Sequence, residues 1–286
     1  MKKLLVSILL MPLLMGCPKS DPDPDNATNN PTPDPNGAIT NAPLGKGQAG
    51  VVGTAGIAEW DKLSTTEKNK VKGWNSLFVH ASVGGDLEDG TENNGFKFDF
   101  YDGTTLKDGM NGSDWKTLGD ISNGEGVKKM AAFKTEVLKQ KAKLQIAIFA
   151  FGYADITDSN LEEMKTQYKA MIDAIRAAGV RPLHITPPLI YITGKDDGNE
   201  AKMKMATWMK STFSQDVIFD LQACETKDGA CKLGNVWRIC DDVRSTSGCP
   251  SKGQGVDSPE GQGHLCEKAA TNISRAFLMS IYNAGK

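Results

Sequence analysis

Histidine is scarce in this chain, with His80, His184 and His264 the only three in 286 residues. Any acid-base chemistry that needs an imidazole near neutral pH therefore has a narrow choice. Charge of one sign is also missing. A formal net charge of -2 leaves no electrostatic footprint for a nucleic-acid partner. No pair of cysteines has the Cys-x-x-Cys spacing and His184 lies far from the cysteines in sequence, so no metal centre is expected. The glycine-rich run at residues 47–57 is closed by no Lys-Ser/Thr pair and preceded by no strand. It reads as linker rather than a phosphate cradle, and no cofactor is expected.

Long apolar runs are absent beyond the amino terminus. Met1-Lys2-Lys3 and the apolar stretch to Leu14 form a basic start on a segment too short to span a bilayer with ease, the pattern of an export signal. Residues 18–58 follow as a tether, and the part up to about Gly45 is mostly Asp, Pro, Asn, Thr and Gly. Such a composition buries too little surface to order itself. Length then allows one globular domain, residues 59–286. Apart from Cys17 the cysteines cluster late, at Cys224, Cys231, Cys240, Cys249 and Cys266. An oxidising compartment permits disulfides, the short-loop possibilities being Cys224 with Cys231 and Cys240 with Cys249. An odd number leaves a thiol over.

Within the domain, apolar runs alternate with helical patterns. Strands are expected at residues 75–81, 96–101, 144–151, 181–186 and 217–221, and helices at 64–71, 127–140, 160–178, 200–213 and near the carboxyl terminus. The glycine-rich stretch 102–126 reads as one long loop, a feature usually tied to function. This alternation specifies βαβ units, hence a three-layer αβα sandwich on a mainly parallel, flavodoxin-like sheet. The run Leu77-Phe78-Val79-His80-Ala81-Ser82-Val83-Gly84-Gly85 is a buried strand breaking into a tight turn. Ligands collect at the carboxyl ends of strands in such sheets. Ser82 is therefore a candidate nucleophile, its plainer alternative being a helix cap.

Several segments together resemble the block pattern of the SGNH/GDSL-type hydrolases, in that family's order. The nucleophile block corresponds to Phe78 through Gly84, with His80-Ala81 where the family has Gly-Asp. Gly124 corresponds to the second block's oxyanion glycine. Gly152-Tyr153-Ala154-Asp155 corresponds to Gly-x-Asn-Asp, Ala154 standing in place of the donor asparagine. Glu260-Gly261-Gln262-Gly263-His264 corresponds to Asp-x-x-His with the acid one residue too far away. Leu14-Met15-Gly16-Cys17 likewise resembles a bacterial lipobox, implying cleavage before Cys17 and its acylation, with palmitate among the chains such lipoproteins carry. Pro18 rather than aspartate after that cysteine favours the outer membrane of the cell envelope.

The resemblance implies a serine esterase without cofactor or metal, acting on acetyl or short acyl groups of surface carbohydrate. Ser82 is the expected nucleophile and His264 the base. Glu260 is the first choice of orienting acid and Asp257 the second. Ser82, Gly124 and Asp155 make up the oxyanion group, Asp155 having helix capping as its alternative. His80 and His184 read as packed or structural. The competing expectation is a lipid-anchored binding or scaffold protein that keeps the fold without catalysis.

Overall fold

The computed structural model describes residues 42–191, 198–257 and 263–286. The signal segment, Cys17 and residues 18–41 lie outside the described residues. Seven parallel strands form the central sheet: β1 Gly50–Val52, β2 Ser76–His80, β3 Asp99–Phe100, β4 Met110–Asp114, β5 Ile146–Phe149, β6 Arg181–Ile185 and β7 Val217–Phe219. Their order is β1-β7-β6-β5-β2-β4-β3. The five inner strands repeat the 2-1-3-4-5 order of flavodoxin-like sheets, so the order reverses between β2 and β5. Ser82 follows β2, at that reversal.

The strands are buried on both faces because their alternating side chains feed two cores. Phe78, Ile146, Ile148, Leu183, Ile185 and Phe219 point to one. Leu77, Val79, Ala147, Phe149 and Ile218 point to the other. This period-two division is why the strands read as continuous apolar runs. Helices α1 (Ala55–Lys62), α3 (Val83–Asn93) and α8 (Glu267–Gly285) cover the first face. Helices α4 (Gly126–Gln140), α5 (Leu161–Ala177) and α6 (Asn199–Thr212) cover the second. Short helix α2, Thr65–Asn69, begins with a capping box in which Ser64 and Glu67 satisfy each other's backbone N–H groups. The short helix α7, Leu221–Thr226, leads into a hairpin of β8 (Lys232–Leu233) and β9 (Val236–Trp237).

Three expectations are corrected. The tether does not run to residue 58: β1 pairs with β7, α1 packs Trp60 against Phe96, and the Gly45 and Gln48 N–H groups donate to Gly285 and Asn283 carbonyls. Val52 and Trp60 supply the buried apolar area that holds this segment to the sheet and helices. The loop at 102–126 contains β4, wedged between β2 and β3. Its sequence, MNGSD, carries no apolar run. Asn111 stands in for one by donating to the carbonyls of Ser76, Lys107 and Gly109, while Ser113 donates to that of Tyr101. The disulfides are Cys231–Cys240 and Cys249–Cys266, leaving Cys224 as a buried free thiol. Cys224 is in α7 and packs into the core, while its sequence neighbour Cys231 is bonded to Cys240.

Helices α3 and α8 cross closely at Gly90, where an added Cβ would stand 2.3 Å from the Ala270 carbonyl oxygen. Gly90→Leu is expected to pry the two helices apart and lower stability by about 1–3 kcal/mol or more, read as a shift in the urea midpoint. An unchanged midpoint would refute this account of the crossing.

Candidate active site

The turn after β2 places Ser82 in a backbone conformation that few non-glycine residues adopt, φ 56° and ψ -115°. Such a conformation costs on the order of 1–3 kcal/mol and persists only where the surroundings impose it. Gly84 is part of the imposition: a Cβ there would lie 2.3 Å from the Cβ of His80. Ser82 directly precedes α3, so its hydroxyl sits at the positive end of an eleven-residue helix. No described group accepts from the Ser82 backbone N–H, which leaves that donor free among the described residues.

The second half of the site comes from the turn ahead of α8. His264 Nε2 lies 2.6 Å from Ser82 Oγ, and Nδ1 lies 2.6 Å from Asp257 Oδ1. The other oxygen of Asp257 accepts from the N–H groups of Gly263 and His264, both at 3.0 Å. An acceptor-only carboxylate on Nδ1 fixes the tautomer: Nδ1–H donates to Asp257, and Nε2 is left to accept from the Ser82 hydroxyl. Gly263 is required here, since it has φ 106° and an added Cβ would meet the Leu189 carbonyl oxygen at 2.5 Å. The Cys249–Cys266 bridge and the 2.6 Å bond from Ser245 N–H to the His264 carbonyl hold the turn against the preceding loop.

Asp86, in the first turn of α3, ties the two halves together. Its buried carboxylate accepts from Ser251 Oγ at 2.5 Å and from the N–H of Leu265, next to His264, at 2.9 Å. Burial pushes its pKa up to about 6, against the opposing pull of those two bonds and of His264.

The oxyanion group is arranged differently from the expectation. The Gly124 N–H donates to Asp155 Oδ1 at 2.9 Å and is already engaged. Asp155 is itself no donor. Its fully buried carboxylate takes two bonds from Lys129 Nζ, both 2.9 Å, and one from the Gly152 N–H at 2.6 Å. It is a clamp between the loop before α4 and the loop after β5, not the helix cap that was its alternative. A side-chain amide is nevertheless present on the first of these loops. Asn123 packs against Gly152 and within reach of the Tyr153 hydroxyl, whose pKa burial raises with a contribution from the charge of Asp257.

No family model matches the sequence, and no curated protein matches it. Among solved structures, the chain is similar to one assigned as a lipolytic protein of the G-D-S-L family from Desulfitobacterium hafniense. That likeness has 10% identity and a TM-score of 0.45, covering 72% of this chain and 99% of the other. At that level it carries no argument about chemistry.

The structure thus brings Ser82, His264 and Asp257 together, while Gly124 and Asp155 are bonded to each other. Glu260 lies outside the described residues. His184 is fully buried between Tyr168 (2.8 Å) and Asp216 (2.7 Å), with burial lowering its pKa, as befits a structural residue. His80 pairs with Glu88 at 2.5 Å beneath the turn. Sequence reasoning missed Asp86, Ser251, Lys129 and Asn123. Only Lys129 left a trace: it shares the inward stripe of α4 with Phe133 and Val137, where a charge demands a buried partner.

Two outcomes are expected. Asp155→Ala strands Lys129 in a dry site and should cost about 3–5 kcal/mol in urea unfolding; a loss within error of zero would refute the clamp. Asp86 keeps its proton up to about pH 6 when folded but releases it near 3.8 when unfolded, so its contribution to stability falls as pH rises through that window. Asp86→Asn lacks this titration. Wild-type stability should therefore decline relative to the variant between about pH 4 and 6.5, and parallel pH profiles would contradict the upward shift.

Proposed function

We propose that this chain is a serine ester hydrolase of the SGNH type. The observation that carries the proposal is the unbroken relay from Ser82 Oγ through His264 to Asp257, with both links at 2.6 Å. In this reading His264 Nε2 takes the hydroxyl proton as Ser82 attacks an ester carbonyl, and an acyl-serine forms as the alcohol departs with that proton. Water then enters by the same route in reverse. Asp257 steadies the imidazolium while it exists. The free Ser82 N–H is the donor assigned to the oxyanion.

The biological setting follows from the sequence alone. Acylation at Cys17 would fix the mature chain to a membrane of the cell envelope, most simply the outer one. The substrate class proposed is short acyl esters, acetyl above all, on carbohydrate at that surface. One observation favours a second reading, a binding or scaffold lipoprotein on the same fold: Ala154 removes one customary oxyanion donor and Asp155 occupies another.

Hydrolysis of p-nitrophenyl acetate by the mature chain separates the two. Ser82→Ala should lose on the order of a millionfold in kcat, down to background. Asp257→Asn should lose on the order of ten-thousandfold through the wrong imidazole tautomer. Equal rates for wild type and Ser82→Ala would remove the enzyme reading.

A further inference from the structure

Beside the His264 turn, two guanidinium groups lie against one aromatic ring. Arg238 Cζ is 4.5 Å and Arg244 Cζ 4.0 Å from the ring centroid of Tyr191. The three come from separate segments: residue 191 follows β6, residue 238 follows β9, and residue 244 lies between the two disulfides. All are half-buried.

The cluster is joined to the catalytic turn at two points. Arg244 pairs with Leu265 in an antiparallel bridge, and Ser245 donates to the His264 carbonyl. Gly263 packs on Leu189 and Ile190, just before Tyr191. Strand β6 stands two places from β2 in the sheet, an offset of about 10 Å.

Charge is unbalanced here. Arg244 Nε donates to Asp241 at 2.9 Å, but no described carboxylate pairs with Arg238. Among the described residues, two cations against one carboxylate leave an excess of one positive charge at the cluster. A guanidinium held against an aromatic ring is already oriented, and its donor fork matches a carboxylate in two parallel bonds. A single excess charge suits a monoanion.

We infer that Tyr191, Arg238 and Arg244 form a subsite for a substrate carboxylate, so that the esters cleaved at Ser82 belong to uronic-acid-containing carbohydrate. This rests on the hydrolase reading above for its role in turnover, but binding tests it separately. Ser82→Ala protein is titrated with digalacturonic acid and with its methyl ester, followed by calorimetry. The acid should bind at least tenfold more tightly than the ester, by an amount that shrinks as salt is raised. Arg238→Gln in the same background should lose about tenfold to a hundredfold for the acid and nothing for the ester. Arg238→Lys, which keeps the charge without the fork, should retain part of the preference.

Equal affinities for acid and ester, no measurable binding of the acid, or a preference that survives Arg238→Gln would each overturn the subsite. Hydrolysis of p-nitrophenyl acetate, which lacks the carboxylate, by wild type and by Ser82→Ala reports on the hydrolase reading alone. If neither turns over while the acid preference holds and depends on Arg238, the hydrolase reading fails and the subsite stands.

Discussion

Asp86 sits in the first turn of α3, four residues after the nucleophile turn opens, and its carboxylate reaches across to Leu265 and Ser251 on the segments that deliver His264. The relay depends on this contact because Ser82 and His264 are 182 residues apart and carried by different elements. A hydrogen bond of 2.6 Å between two side chains requires their backbones to be fixed to a fraction of that distance. Asp86 supplies that fix with a charged acceptor held in a place where charge is costly, as its pKa of about 6 records. Gly90 lets α3 and α8 approach closely, and the Cys249–Cys266 bridge closes the same region covalently.

Across the strand ends the opposite rim is organised around another buried carboxylate. Asp155 gathers Lys129 and the N–H groups of Gly124 and Gly152 into one centre. The four bonds compensate a charge pair that burial alone would disfavour. They also engage the Gly124 N–H, next to Asn123, which packs against Gly152.

Tyr191, Arg238 and Arg244 stand beside the His264 turn, where the exit from β6, the residue after β9 and the loop between the two disulfides meet. Nothing in the spacing of those residues along the chain announces the convergence.

What the sequence determined by itself was local and periodic. The alternation of apolar runs and amphipathic stretches specified the parallel αβα sandwich, and the break at Ser82-Val83-Gly84 marked the turn after β2, because both are written in consecutive residues. Strand β4 escaped notice since Asn111 and Ser113 replace apolar burial with hydrogen bonds, and β1 since three residues among glycines carry no period. Which acid faces His264, which cysteines join and which carboxylate locks the two loops were decided only by tertiary structure. Those outcomes turn on distances of a few ångströms between segments remote in the chain, and a contact of that kind leaves no pattern in either segment taken alone.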